Sequence, residues 1–167
     1  MKRFFLVGLL VLLHVSLMAQ KVSGSFKPLQ DLDRVKMVID FSQADIMGMS
    51  EEEFYIYEED WAKDKPEVLS LFFGYANKAL KGNLILGNYN NDSYYLLALY
   101  IRSVNVKGDY DCDLSLLCEG VEIARAIKIG AKGGKFGSKL NLMKDGAEHT
   151  GKALGQFLLG AIKRGNN

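Results

Sequence analysis

The run Gly146–Ala153, GAEHTGKA, has the spacing of a phosphate-binding loop, G-x-x-x-x-G-K. In such loops the next residue is Ser or Thr, whose hydroxyl holds the magnesium ion, but here it is Ala153. Glu148 would also place a negative charge among the phosphates. We therefore interpret the run as a glycine-flanked helix start and predict no nucleotide and no other cofactor.

His149 limits the catalytic schemes that the chain could use. Two histidines occur in the sequence, and the other, His14, lies in the N-terminal segment predicted below to be removed. Any Ser/His or Cys/His mechanism would need His149, yet no G-x-S-x-G nucleophile turn is present. We predict no catalytic residues. The alternative is an envelope hydrolase that uses His149 with Asp145 or a cysteine.

Three alternating aspartates, Asp109, Asp111 and Asp113, resemble the start of a calcium loop. That loop needs glycine at its sixth position and an acid at its twelfth, where this chain has Leu114 and Gly120. The alternation instead predicts the solvated face of a strand, and we predict no metal site.

Cys112 and Cys118 lie six positions apart in a segment with strand character. In one strand their Cα atoms would be roughly 20 Å apart, whereas a disulfide needs about 7 Å or less. We interpret both as small apolar residues of the core. A bridge across a broken strand, or to another chain, stays open.

Two segments are candidates for a partner surface. The glycine-rich loop Gly130–Lys139 is basic and carries an aromatic residue, and the acidic helix predicted after Ser50 carries a tryptophan. The candidate residues are Lys132, Lys135, Phe136, Lys139 and Trp61. The partner class that we predict is another envelope protein.

The first elements predicted are a strand and two helices. Apolar residues alternate from Val35 to Phe41, which is typical of a strand. Ser50 and Glu53 form a capping box, which predicts a helix start. Pro66 predicts a kink near Lys65, with a second helix ending at Lys81 and Gly82.

The rest of the chain predicts strands and a closing helix. Strands are expected at residues 84–87, 93–107, 109–118 and 121–129, and a helix at 146–163. The run YYLLALYI is apolar on both faces and predicts a central strand. The fold class predicted is α+β: a mainly antiparallel sheet of four or five strands, with a kinked N-terminal helix pair and a C-terminal helix packed on it.

The N-terminus predicts export. Lys2 and Arg3 precede an apolar run to Met18, and Ala19 is small, as in a signal peptide. The run is about 15 residues long, too short for a membrane span. We expect a signal peptide at 1–19, an extended leader at 20–34 and a single domain at 35–164, with no transmembrane segment after cleavage. The net charge of +1 argues against a nucleic-acid partner.

Residues 84–163 loosely resemble small α+β domains of the bacterial envelope, including those of curli-assembly pore lipoproteins. The shared features are the strand YYLLALYI, the meander LLCEGVEIARAI, a glycine-rich stretch and the helix GKALGQFLLGAIK. Gln20 stands where that family has its lipid-anchoring cysteine, and a mature chain beginning with Gln is similar to exported proteins of Bacteroidetes-type bacteria. The resemblance implies no functional residues.

The sequence therefore predicts an exported, non-catalytic accessory or protein-interaction domain. Its expected location is the periplasm or the outer membrane, or outside the cell. The alternatives are the hydrolase that uses His149 and a carrier of a small apolar ligand between sheet and helices. The oligomeric state is left open.

Overall fold

Seven strands form one mixed sheet in the computed structural model, which describes residues 21–88 and 94–163. The strands are β1 (Val22–Gly24), β2 (Arg34–Asp40), β3 (Asp45–Ile46), β4 (Ile85–Gly87), β5 (Tyr95–Val104), β6 (Tyr110–Cys118) and β7 (Val121–Ala126). Their order is β1-β7-β6-β5-β2-β4, and β3 pairs with β5 outside this path. The apolar strand β5 is central, as predicted.

The prediction of a mainly antiparallel sheet of four or five strands is wrong. β2 pairs in parallel with β4 and β5, and β3 also pairs in parallel with β5. Only the β1–β7, β5–β6 and β6–β7 pairs in the described chain are antiparallel. The helical connection after β2 returns the chain to the end of the sheet where β2 began, which makes the next strands parallel to it. Alternation along one strand does not report the direction of its neighbour.

Three α-helices are described: α1 (Glu51–Tyr57), α2 (Trp61–Leu80) and α3 (Lys139–Lys163). The predicted capping box is confirmed at α1. The Ser50 hydroxyl accepts from the amide of Glu53 at 3.3 Å, and the Glu53 carboxylate accepts from the amide of Ser50 at 2.8 Å. These bonds satisfy two amide groups that the first turn leaves without intrahelical partners.

The predicted break near Lys65 lies elsewhere. The chain leaves helical geometry at residues 58–60, and α2 runs through Pro66 in its second turn. Trp61 explains the shift, because its ring is fully buried between Phe41 and Phe54 at centroid distances of 5.8 and 5.4 Å. Packing of this ring fixes the start of α2, and a proline so near the start removes only one early hydrogen bond.

Helix α3 begins at Lys139 rather than at Gly146. Ser138 precedes it, and its hydroxyl accepts from the amide of Asn141 at 3.3 Å while its carbonyl accepts from Leu142 at 3.0 Å. Ser138 therefore acts as an N-cap that the glycine-rich context concealed.

Helices α2 and α3 run side by side in the same direction over one face of the sheet. Gly151 and Gly155 allow the two helices to pack closely. A Cβ on Gly151 would lie 2.6 Å from the carbonyl oxygen of Phe72, and one on Gly155 would lie 2.3 Å from that of Ala76. Below the helices lies the apolar core, which includes Met37, Leu97, Leu99, Leu114 and Leu116.

Residues 21–34, the described part of the predicted leader, contribute β1 and a 3-10 helix at Lys27–Asp31. Phe26 and Leu29 from this segment are buried in the core. The signal peptide predicted at 1–19 lies outside the described residues. No described helix is long and apolar enough to cross a membrane.

Candidate partner surface

Trp61 does not reach the surface. Its ring has no solvent exposure and its indole N–H donates to Glu51 Oε1 at 3.4 Å. The exposed side chains on this part of the molecule belong to the end of α1, where Ile56 is 83% exposed and Tyr57 55%. Only Phe54 of this seven-residue helix is buried. The exposed surface in this region is therefore formed by α1, and Trp61 is buried beneath this helix against Phe54.

Lys139 joins the glycine-rich loop to α1. Its ammonium group donates to the Tyr57 hydroxyl and lies 4.2 Å from the centroid of the Tyr57 ring. A cation over an aromatic face is attracted by the electron-rich ring. The structure thus brings together the two segments that the sequence offered as separate candidates.

Phe136 is the most exposed large apolar side chain in the described chain, at 88%. It lies three positions before Lys139, beside the exposed Lys135 and before Gly137, whose φ is +134°. We call Tyr55, Ile56, Tyr57, Lys135, Phe136 and Lys139 the α1–loop surface. Removing an exposed aromatic side chain from water is favourable, but this requires another surface to cover it.

The glycine-rich loop is held against the sheet rather than hanging free. The amide of Gly133 donates to Asp109 Oδ1 at 2.8 Å, and a Cβ on Gly133 would lie 2.0 Å from the carbonyl oxygen of Lys107. Hydrogen bonds from the Asn105 side chain and from the Gly133 amide lower the pKa of Asp109. The loop is therefore held in place at Gly133, three positions before Phe136.

Lys132 lies apart from this surface. Its side chain lines a shallow depression of about 370 Å³ with Asp109, Asp111 and Lys128, and its carbonyl oxygen lies 2.8 Å from His149 Nδ1. No contact between Lys132 and α1 is seen in the described chain. Of the five predicted residues, Lys135 and Phe136 are exposed, Lys139 is partly buried against Tyr57, Lys132 is exposed beside Asp109, and Trp61 is buried.

His149 lacks the geometry that the hydrolase alternative requires. It lies on the exposed side of α3, where the hydrogen-bond partner of its ring is a backbone carbonyl rather than a nucleophile. Cys112 is fully buried, and burial raises the pKa of its thiol well above the usual value. Cys112 and Cys118 are both free. No described observation favours nucleophilic catalysis.

The motif Gly146–Ala153 lies within α3 and forms no loop. A Cβ on Gly146 would lie 1.9 Å from the carbonyl oxygen of Gly108, so close packing explains this glycine. In the chain outside residues 1–20, 89–93 and 164–167, no group of three His, Cys, Asp or Glu residues lies close enough together to hold a metal.

The sequence reasoning missed an ion network on the sheet face opposite the helices. Asp113 Oδ2 accepts from Arg102 at 2.9 Å and from Arg125 at 2.8 Å, and the Ser115 hydroxyl donates to Glu122 at 2.6 Å. Partial burial raises the pKa of Asp113, but hydrogen bonds from Arg125 and Arg102 together outweigh it, and the net pKa lies below the usual value. The alternating polar positions of β5, β6 and β7 were the available signal.

The chain has a weak likeness to solved structures and none to a known family. No protein family model matches the chain, and no curated protein matches it. Among solved structures, a PelC dodecamer from Paraburkholderia phytofirmans is 12% identical, with a TM-score of 0.39, and the match covers 81% of this chain and 95% of that chain. A likeness this weak assigns no family or function. The resemblance to curli-assembly pore lipoproteins therefore stays a prediction.

Proposed function

We propose that this chain is an exported bacterial envelope protein that acts by binding another protein through the α1–loop surface. Export is supported by the charged and apolar N-terminal segment up to Ala19. The observation that carries the binding role is the pairing of Lys139 with Tyr57, which joins α1 to the glycine-rich loop that carries the exposed Phe136.

The composition of this surface supports a protein partner. Aromatic side chains are enriched in protein interfaces, where they bury much area while losing few rotatable bonds. Tyr55, Tyr57 and Phe136 supply three aromatic side chains, and Ile56 adds an exposed aliphatic one. Lys135 and Lys139 border them with positive charge. The partner surface should therefore have an apolar centre.

Site-specific photocrosslinking in the native envelope tests this proposal. A photoreactive phenylalanine analogue replaces Phe136 in one variant and Ile56 in another, and the products are identified by mass spectrometry. We expect both positions to give adducts with the same envelope protein, because one interface would cover both. A signal-deleted form of each variant should give none.

Val121 provides a matched control position, since it is 65% exposed but lies on β7, outside the α1–loop surface. The analogue placed there should not give the adduct formed at positions 56 and 136. Equal adducts at all three positions, or none at position 136, would overturn the proposal. Phe136→Ala should then weaken binding of the purified partner about tenfold or more, as expected when an aromatic anchor is removed.

A further inference from the structure

A groove lies on the outer surface of the helical layer, between α2 and α3. Its volume is about 430 Å³, within the range of about 300–1,000 Å³ seen for small-ligand sites. Its lining residues are Tyr75, Lys78, Ala79 and Lys81, with Lys152, Gln156 and Leu159 from α3. It is separate from the α1–loop surface, and no residue is shared between them.

The close contact between the two helices positions the sides of this groove. Gly151 and Gly155 bring the α3 backbone against Phe72 and Ala76 of α2. Lys152 and Gln156, each one position further along α3, are exposed and line the groove together with Lys78 of α2. The partly buried Ala79 and Leu159 give the groove an apolar floor.

The charge of the groove is uncompensated. At the other end of the same helix pair, Lys144 of α3 is neutralised by Asp64 and Glu67 of α2, at 3.3 and 2.6 Å. Lys78, Lys81 and Lys152 have no ion pair with any carboxylate among the residues described. Each of them is exposed. Three lysines thus line one concave site without an ion-pair partner among the described residues.

Helix stabilisation accounts for only part of this arrangement. Lys78 and Lys81 lie at the end of α2, where the helix dipole favours cations. Lys152 lies in the middle of α3, where the dipole gives no such advantage. Glu148 accepts the hydroxyl hydrogen of Tyr75 and thereby raises the pKa of that phenol. Because Glu148 lies next to Tyr75, an anion would bind toward Lys81 and Gln156.

We propose that this groove binds a small phosphorylated ligand, with its phosphate among Lys78, Lys81 and Lys152 and a short apolar part on Ala79 and Leu159. Lysines bind phosphate as compact point charges. A phosphate monoester carries a charge of about −1.5 to −2 at pH 7, more than a single carboxylate, so three lysines favour it. The Gln156 amide supplies a further donor. The source of the phosphate would be a soluble compound or a lipid headgroup.

The test uses inorganic pyrophosphate titrated into the isotope-labelled full chain, with affinity from calorimetry and location from amide chemical shifts. We expect the largest shifts around Lys81, Lys152 and Gln156. The triple variant Lys78→Gln, Lys81→Gln, Lys152→Gln should lose affinity by about tenfold or more, since three charge-assisted contacts are removed. Its unfolding midpoint should fall only slightly, because all three side chains are exposed and only Lys78 and Lys81 lie where the helix dipole favours a cation.

A second triple variant, Lys21→Gln, Lys27→Gln, Lys63→Gln, removes the same charge from exposed positions outside the groove. Its affinity for pyrophosphate should stay within about twofold of the unmodified chain, because long-range attraction is screened by salt. An equal loss in both triple variants, or shifts centred elsewhere on the chain, would overturn the proposal.

Vesicles distinguish the two sources of phosphate. The chain is sedimented with vesicles of phosphatidylcholine alone and with vesicles that also contain phosphatidylglycerol. Binding to the anionic vesicles that is lost in the groove variant and kept in the control variant supports a lipid headgroup, and pyrophosphate binding alone supports a soluble ligand. Binding of neither probe would overturn the proposal and would leave the α1–loop proposal unaffected.

Discussion

The two faces of the sheet are protected from water by different interactions. One face is covered by α2 and α3, which approach closely because Gly151 and Gly155 remove side chains from the contact. The other face has no covering helix in the described chain, yet Ala98 and Ser115 on it are buried. Long charged side chains lie across that face and pair with one another around Asp113. One face thus depends on shape and the other on charge.

A two-layer fold thus protects the two faces of its central strand in two different ways. Apolar burial on the helix side supplies most of the stabilisation, because it scales with the area removed from water. On the open side, Arg102 and Arg125 pair with Asp113 while their side chains stay partly exposed to water. The two faces should therefore respond differently to substitutions, to salt and to pH.

The largest effect on stability is expected on the helix-covered face, which depends on close packing. Gly155→Ala places a methyl group 2.3 Å from the carbonyl oxygen of Ala76, so α3 must move away from α2. We expect a loss of about 3 kcal/mol in the free energy of unfolding, measured with urea.

Gly74→Ala is the matched control for that substitution. Gly74 is also helical, but a Cβ there meets nothing within 4 Å. It should raise stability by up to about 1 kcal/mol, since alanine favours the helix more than glycine does. A similar effect of both substitutions would mean that close helix packing does not close this face.

A smaller effect on stability is expected on the opposite face, which depends on the ion pairs of Asp113. Asp113→Asn removes the carboxylate that Arg102 and Arg125 share, at an aspartate side chain that is 14% exposed. We expect a loss of about 1–2 kcal/mol at neutral pH, because the arginines are partly hydrated and retain water as a partner. The loss should shrink in high salt, whereas the effect of Gly155→Ala should not.

The stability of the open face should also depend on pH, which is measured by comparing the unmodified chain with Asp113→Asn. The pKa of Asp113 is lowered on folding, so its contribution is present above the unfolded pKa and is lost as pH falls through the folded value. The stability difference between the unmodified chain and Asp113→Asn should therefore shrink below about pH 4. Asp31→Asn, at an exposed aspartate without a described partner, is the control. A difference that stays constant to pH 2 would contradict this assignment.

Sequence periodicity predicted which residues face the helices and failed to predict how strands pair. Val35 and Met37 in β2, and Leu114 and Leu116 in β6, lie two positions apart, and each is buried as the alternation indicates. The parallel direction of β2 is set by the path of α1 and α2, which no local pattern encodes. β1 and β3 have three and two residues, too few for a period to appear.

The candidate surface was predictable in part for a similar reason. Phe136 and Lys135 lie in a loop that its glycines and lysines identified as a candidate surface. The sequence around them has no apolar period, which predicts that both side chains are exposed. The burial of Trp61 depends on Phe41 and Phe54, and the contact of Lys139 with Tyr57 joins positions far apart in the chain. Such contacts are properties of the assembled fold.

The smallest effects should have opposite signs on the two faces. Tyr110 packs edge-on against Phe72 on the helix side, and its buried hydroxyl has no hydrogen-bond partner among the described residues. Tyr110→Phe keeps the ring contact and removes an unpaired polar group, so stability should rise by about 0.5–1 kcal/mol.

Ser115 on the open face provides the contrasting hydroxyl. It is equally buried, but it donates to Glu122 at 2.6 Å. Ser115→Ala should lower stability by about 0.5–1 kcal/mol, limited by the hydration of the partly exposed Glu122. Both variants are compared in one urea series. If both hydroxyl deletions change stability in the same direction, hydrogen bonding does not distinguish the faces, and the burial of Ser115 would then reflect packing beneath the arginine stems alone.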